Sequence, residues 1–403
     1  MLTDKIKEKS LEHSDYIIDF RRDLHMNPEL SMEEHRTARR IAEELSKMEG
    51  MEVLDNLAGG TGVMGLLKGT KGSGKTVLIR ADIDALPIQE TTNLPFASQN
   101  EGVMHACGHD AHAAWLLGSA KILSELRNEF GGCIKFAFQP GEEGFGGARK
   151  MVIESKVLEN PPVDAVFASH VWPEIKAGEM HVAERCAFGY TGRFTIKVIG
   201  KGGHGSWPHG CIDPIAVAHQ IYTGLQQIVS RRLLETAARV LSVCMIHSGP
   251  QDKRNIIPDT CTMTGTLRAD KLEVMENMTA MIQKISKGIA EANDAVAEVS
   301  TEINDAVINT REAVPFCIES AAKILGESNV KIDTEPHLGG EDFNEFITRV
   351  PGAYVFTGVA TCNPEDAYGL HNSNFTIEDE SIIPKMSAVF SQFALDFLEK
   401  GKF

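Results

Sequence analysis

Five separated stretches of the sequence carry side chains able to hold a transition-metal cation or to move a proton. MHACGHDAHAAW sets Cys107 and His109 in a glycine-containing turn just before a helix-period run. A thiolate sulfur and an imidazole nitrogen so spaced can converge on one borderline-soft cation. Taken alone, the pair reads as a buried thiol beside a capping histidine, with His105 and His112 as polar neighbours. QPGEEGFGG places Glu142 and Glu143 after a strand too apolar to be an edge. Neighbours on a turn point differently, so one carboxylate can bind metal while the other reaches the water that metal polarises. The ordinary reading of such a pair is a solvated charge run. His170 closes the apolar run AVFASH, and VLIRADID ends in Asp82 and Asp84. A buried carboxylate bonded to a ligand histidine fixes its tautomer, the role expected of Asp82. Asp84 serves equally as a cap for the turn before Pro87. His371, in GLHNSNF, follows the last strand. Each residue has its own structural explanation; metal-competent groups at four strand ends of one sheet are harder to ascribe to chance.

The elements that must position these groups follow from periodicity. A length of 403 residues favours two domains. The first half alternates a helix near residues 31 to 48, a strand TVLIRADI, a helix over about 110 to 130, a strand CIKFAFQP, a helix after Gly146 and a strand AVFASHV. That order predicts an α/β domain, helices flanking a mostly parallel sheet, with ligands beyond the strands' carboxyl ends. Near Gly192 the rhythm becomes β-α-β-β-α-β, a ferredoxin-like α+β unit inserted over residues 187–303 as a lid or dimerisation domain. The catalytic domain is then discontinuous, 1–186 and 304–403, and finishes with a helix opened by Thr376 and closed near Lys400. GTKGSGKT lacks P-loop spacing and precedes its strand, so it reads as a hairpin-like turn and not a nucleotide site.

Charge narrows the partners. Forty basic against 56 acidic residues give a formal charge of −16, which argues against nucleic acid and anionic membranes. The N-terminal stretch interleaves charges without an apolar core, and no run of 18 apolar residues occurs; neither a signal peptide nor a membrane span is expected, and a cytoplasmic location is the expectation. Eight scattered cysteines, among them Cys133 and Cys244 in apolar segments, are expected mostly as reduced core thiols.

The ordered series RRDLHMNPELSMEE, RADIDALPIQE, MHACGHDAH, FQPGEEG, SHVWP, GKGGHGSWPHGCIDPI, NIIPD, GTLR, GGEDF and LHNSNF resembles the M20 metallopeptidase clan, in its aminoacylase and hippurate hydrolase branch, which includes the auxin-conjugate amidohydrolases. The resemblance implies two divalent metal ions (Zn, Mn, Ni or Co), with Cys107 bridging and His109, Glu143, His170 and His371 as the other ligands. Arg80 stands where other branches carry a histidine ligand, with His109 compensating. Glu142 would be the general base and acid. His204 resembles the histidine that reaches a partner subunit's site and donates to the oxyanion, against an ordinary reading as a polar loop residue. Asn255 and Arg268 match positions near a substrate carboxylate, for which an Arg fork is suited; otherwise Arg268 is a surface salt-bridge residue. The implied activity is hydrolysis of small N-acyl amino acids by a homodimer or higher homo-oligomer assembled through the inserted domain. Rivals are a dipeptidase or carboxypeptidase, an N-acetyldiaminopimelate deacetylase, and a catalytically silent binding protein, the last opposed by the presence of Glu142 and all five ligands.

Overall fold

Thr76–Asp82 is a run of apolar and β-branched residues broken only by Arg80 and closed by Asp82, and every residue of it is buried. A strand covered on both faces belongs in the middle of a sheet. The computed structural model, which describes residues 2–250, 252–361, 363 and 366–403, places it there. Among the described residues the sheet has eight strands: β1 (Met51–Leu57), β2 (Gly62–Lys68), β3 (Thr76–Asp82), β4 (Cys133–Gln139), β5 (Ala165–Lys176), β6 (Met180–Ala183), β7 (Val330–Asp333) and β8 (Gly352–Ala360). Their spatial order is β1-β2-β4-β3-β5-β8-β6-β7. The central pairings β4/β3, β3/β5 and β5/β8 are parallel, as is β6/β7, while β1/β2, β2/β4 and β8/β6 are antiparallel. The expected parallel centre is present, and antiparallel pairings on both sides make the sheet mixed.

Two expectations fail here. β2 and β3 are separated by β4, so the glycine-rich segment between them is a crossing connection and not a hairpin turn. The last helix spans Ile382–Lys400 and does not start at Thr376. Its Pro384 explains the boundary: in the first turn a proline loses no intrahelical bond, whereas a start at Thr376 would put it mid-helix. Helix His109–Glu125 is apolar nearly all round and almost wholly buried, as a helix lodged inside the core must be. It shares that core with Phe136, Phe167, Phe316 and Phe393.

The chain divides into two compact units, Met1–Ala187 with Val307–Glu335 and Glu341–Phe403, and Phe188–Ala306 with Pro336–Gly340. In the second unit the antiparallel order Arg239–Ser248, Thr260–Ala269, Tyr190–Ile199, Val296–Asn304 is the ferredoxin-like one. Phe194, Ile196 and Val198 alternate inward and pack with Val217, Ile221, Met275 and Ile282 of its two helices. Cys244, expected in a core, is exposed on the edge strand of this sheet. Cys107, Cys133, Cys186, Cys211, Cys244, Cys261 and Cys317 are unpaired thiols; Cys362 lies outside the described residues. No described helix is long and apolar enough to cross a membrane.

One buried cation steadies the loop between β4 and β5. Lys135 is fully buried, and its Nζ donates to the carbonyl oxygens of Val157 (2.8 Å), Glu159 (2.5 Å) and Pro161 (2.9 Å). Burial lowers its pKa to about 8. Lys135→Met keeps the buried stem but leaves these carbonyls unsatisfied; urea unfolding should show a loss of roughly 1–3 kcal/mol.

Candidate functional site

Asp82 is the last residue of β3, and the segment Pro140–Gly144 begins directly after β4. His170, expected to end its strand, lies inside β5, which continues to Lys176. Because β3 stops pairing with β5 at Arg80↔Ala168, His170 still stands at the level of the β3 carboxyl end. Gly108, φ +82°, turns the chain between Cys107 and helix His109–Glu125, and a Cβ there would meet Val171 Cγ2 at 2.4 Å; only glycine suits both demands. His371 also has a left-handed backbone, φ +61°, and its N–H donates to Ala106 O at 2.8 Å, which fixes the last predicted ligand beside the first.

These elements bring all five predicted ligands together. Potential ligand atoms of Cys107, His109 and His170 lie within 4.8 Å of one another, as do those of Cys107, Glu143 and His371. Cys107 is common to both groups. Its Sγ is 3.3 Å from His170 Nε2, and Glu143 Oε1 is 3.0 Å from His371 Nε2. Glu142 joins His109 and Glu143 in a third group. His109 Nε2 and Glu143 Oε1 are buried without a hydrogen-bond partner. Buried polar atoms are normally paired, so two orphaned donors to a cation beside a thiol and further imidazoles fit a borderline-soft divalent ion.

The orientation of each imidazole has a visible cause. His170 Nδ1 donates to Val171 O (2.7 Å), leaving Nε2 toward the thiol. Burial, reinforced by His112, holds its pKa well below the usual histidine range, so it stays neutral, the ligating form. His109 Nδ1 is 3.0 Å from Asp84 Oδ1. The carboxylate bonded to the His109 ring is therefore Asp84 and not the expected Asp82, which is engaged elsewhere. It is taken by His112 Nδ1 at 2.5 Å and by Arg80 Nη1 at 2.7 Å, and lies 3.9 Å from His109 Nε2. His112 also accepts from Val171 N–H (3.0 Å) and so has no free ring nitrogen. Burial penalises the Asp82 carboxylate, but His109, His112 and Arg80 together outweigh it and hold its pKa well below the usual range.

Arg80 is no ligand but a buried counter-ion. Its guanidinium donates to Asp82, to Glu341 Oε1 (3.0 Å), to Asp342 Oδ1 (3.0 Å) and to Gln139 Oε1 (2.8 Å), and Tyr354 Oη donates to Glu341 Oε2 (2.6 Å). Burial pushes Asp342 up to about 8 despite Arg80, with Glu341 adding to the rise. Glu142 is pushed well above the carboxylate range by burial and by the Glu341 and Asp342 carboxyls. Burial likewise raises the Cys107 thiol, against the pull of His109. Glu341 and Asp342 had no role in the sequence reading, although the GGEDF motif that contains them was singled out.

In the second unit, His204 and Ile256 pair across a two-residue ladder, and Asn255 O accepts from Gly205 N–H at 2.8 Å, so His204 and Asn255 are neighbours. Both are exposed. Ser206 N–H donates to His204 Nδ1 (3.1 Å). Arg268 is not with them: it pairs with Thr191 at the far end of strand Thr260–Ala269, roughly 25 Å along the ladder at about 3.4 Å per residue. Burial and Arg193 lower its pKa, and its Nη1 donates to Leu267 O at 2.8 Å.

A thiol, imidazoles and paired carboxylates gathered at the carboxyl edge of a mixed α/β sheet are a donor set able to hold divalent metal ions, as in metallohydrolases. Residues 78–396 match peptidase family M20/M25/M40. The chain is 38% identical to thermostable carboxypeptidase 2 of Saccharolobus solfataricus, over 99% of this chain and 100% of that one. It is 39% identical to an N-acetylcysteine deacetylase of Bacillus subtilis, over 96% and 98% of the two chains. Among solved structures it resembles a dinuclear metal-binding peptidase of the M20 family from Bacillus subtilis, with a TM-score of 0.83, 36% identity, and coverage of 96% and 99%. The chain belongs to peptidase family M20/M25/M40 and is a hydrolase.

Removing the buried guanidinium should unbalance the site. Arg80→Met leaves Asp82, Glu341 and Asp342 facing one another, and chemical denaturation near neutral pH should show a loss of roughly 3–5 kcal/mol. The unpaired carboxyls would have folded-state pKa values above their unfolded ones, so the penalty grows as pH rises past the unfolded carboxyl range. Stability curves at pH 5 and pH 8 check the sign: the gap to wild type should be smaller at pH 5.

Proposed function

We propose that the chain is an N-acyl amino acid amidohydrolase that works with two divalent cations held by Cys107, His109, Glu143, His170 and His371. The observation that carries this reading is the sharing of Cys107 between two ligand groups, one with His109 and His170 and the other with Glu143 and His371. A thiolate placed between two sets of donors is suited to bridge a pair of ions. Such ions supply Lewis acidity to a water and to the amide carbonyl. Glu142 then moves the proton: it takes one from the water as oxygen adds to the carbonyl carbon, and returns it to nitrogen as the C–N bond breaks. Its raised proton affinity, caused by burial and by Glu341 and Asp342, suits a group that must accept before it donates.

His204 and Asn255 serve the substrate in this reading, the first as donor to the developing oxyanion and the second near the substrate carboxylate, with Arg268 gripping that carboxylate. The ladder separation of His204 from Arg268 supports giving them to the sites of two different copies, hence a homodimer or larger assembly through the inserted unit. The free thiols accord with a cytoplasmic location. A second reading, cleavage of peptides from the carboxyl end, is favoured by the name of the archaeal relative; both use the same proton path and differ only in the group beside the scissile amide.

The deciding assay compares hippurate, N-acetyl amino acids including N-acetylcysteine, N-acetyldiaminopimelate and dipeptides, after chelation and re-addition of Zn, Mn, Co or Ni. Acylated amino acids should be the better substrates and chelation should abolish turnover; full activity of metal-free protein contradicts the proposal. Glu142→Gln should keep its metal and lose about 10²–10⁴-fold in kcat. Cys107→Ala should lose metal, measured by elemental analysis.

A further inference from the structure

We propose that Asp84, held by Ser31, is a positioning residue that sets both His109 and the Glu142–Glu143 turn for ion binding; this rests on the ligand assignment above. Asp84 is buried just beyond the end of β3, and both of its oxygens are used. Oδ1 accepts from His109 Nδ1 at 3.0 Å; Oδ2 accepts from Ser31 Oγ–H at 2.6 Å and from the backbone N–H of Glu143 at 3.1 Å. One carboxylate therefore fixes the tautomer of an imidazole, with Nε2 free beside the thiol, and the direction of the neighbouring carboxylate's backbone. Glu34, from the same segment as Ser31, holds the start of that turn: its Oε1 accepts from Gly141 N–H at 2.9 Å and from Met32 N–H at 2.8 Å. Gly141 has φ +62°, and the segment returns where Ala148 N–H donates to Asp342 Oδ2 at 3.0 Å.

The physical consequence is a coupling of the N-terminal SMEE segment to the ligands. An imidazole whose Nδ1–H is given to a carboxylate is a stronger donor through Nε2, and its ring cannot rotate away. Glu143 Oε1 faces His371 Nε2 at 3.0 Å, and its backbone N–H is held by Asp84, so Asp84 helps to set where that carboxylate points. Asp84 touches no ligand-facing atom itself and acts through His109 and Glu143. The Ser31 hydroxyl neutralises none of the charge; it fixes which way the carboxylate faces.

The test uses the full chain with Co²⁺ as probe. Apparent affinity is measured by competition with a chelating dye, ligand geometry by the visible absorption of the Co²⁺ form, and folding by the melting temperature; kcat and KM are taken on the best amide of the substrate panel. Asp84→Asn should weaken Co²⁺ binding about 10–100-fold and alter the spectrum. Ser31→Ala should do the same by a smaller factor, about 2–10-fold for one lost hydrogen bond, at an unchanged melting temperature. Ser31→Thr, which keeps the hydroxyl, should restore both, and the loss of turnover should appear in kcat more than in KM. Ser31→Ala binding Co²⁺ as tightly as wild type with the same spectrum overturns the proposal, even where Asp84→Asn does not fold. A wild type that takes up no Co²⁺ overturns the ligand assignment and this proposal with it, whereas a wild type that binds beside unaffected variants overturns this proposal alone.

Discussion

Asp82, Glu341 and Asp342 direct three carboxylates into one water-poor volume, and the Arg80 guanidinium is the cation that keeps them there. At such distances in a poorly solvated interior the repulsion among unpaired carboxylates exceeds what one hydrogen bond recovers. One guanidinium does not compensate equally everywhere. Asp82, with two histidines to help, is held far down, while Asp342 rises to about 8. Glu142 is also pushed well above the carboxylate range, first by its burial and then by the Glu341 and Asp342 carboxyls. The chemistry proposed for Glu142 thus depends on a counter-ion that touches neither it nor the ligands.

Much of this was legible in the sequence, and the reason differs from residue to residue. Periodicity placed Cys107, His109, Glu143, His170 and His371 beside the ends of apolar strands or helices, while their grouping as one ligand set came from the resemblance of the ordered motifs to the M20 clan. The mixed α/β architecture followed from the same periods. Pairings between distant segments were not legible. That Asp84 rather than Asp82 holds His109, and that Glu341 and Asp342 close on Arg80, depends on contacts across more than two hundred residues in the second case. The capping pattern at Thr376 points to a start six residues before the observed one, because Pro384, confined by its backbone to a first turn, is what sets the start of the last helix.

A second polar network braces the centre from behind. Asp110, next to His109, is ion-paired with Arg21, Nε to Oδ2 at 2.7 Å, and accepts from His25 Nδ1 at 2.8 Å, and Arg21 and Arg22 both reach Glu380 just ahead of the last helix. Burial opposes the charge on Asp110, but Arg21 and His25 overcome it and keep the carboxylate ionised. Helix Ser14–Met26, the turn that opens helix His109–Glu125 and the segment before the C-terminal helix are thereby joined through buried charge, which is directional, as well as through the apolar core, which is not.

The bond from His371 N–H to Ala106 O joins the last donor of the centre to the first across most of the chain. During synthesis this has an effect on timing. A ribosome that has delivered Cys107 and His109 has not yet made His371, so on the proposed ligand assignment a half-made chain would offer an incoming ion only part of the donor set. The set would be complete only once the C-terminal segment has folded back onto the sheet.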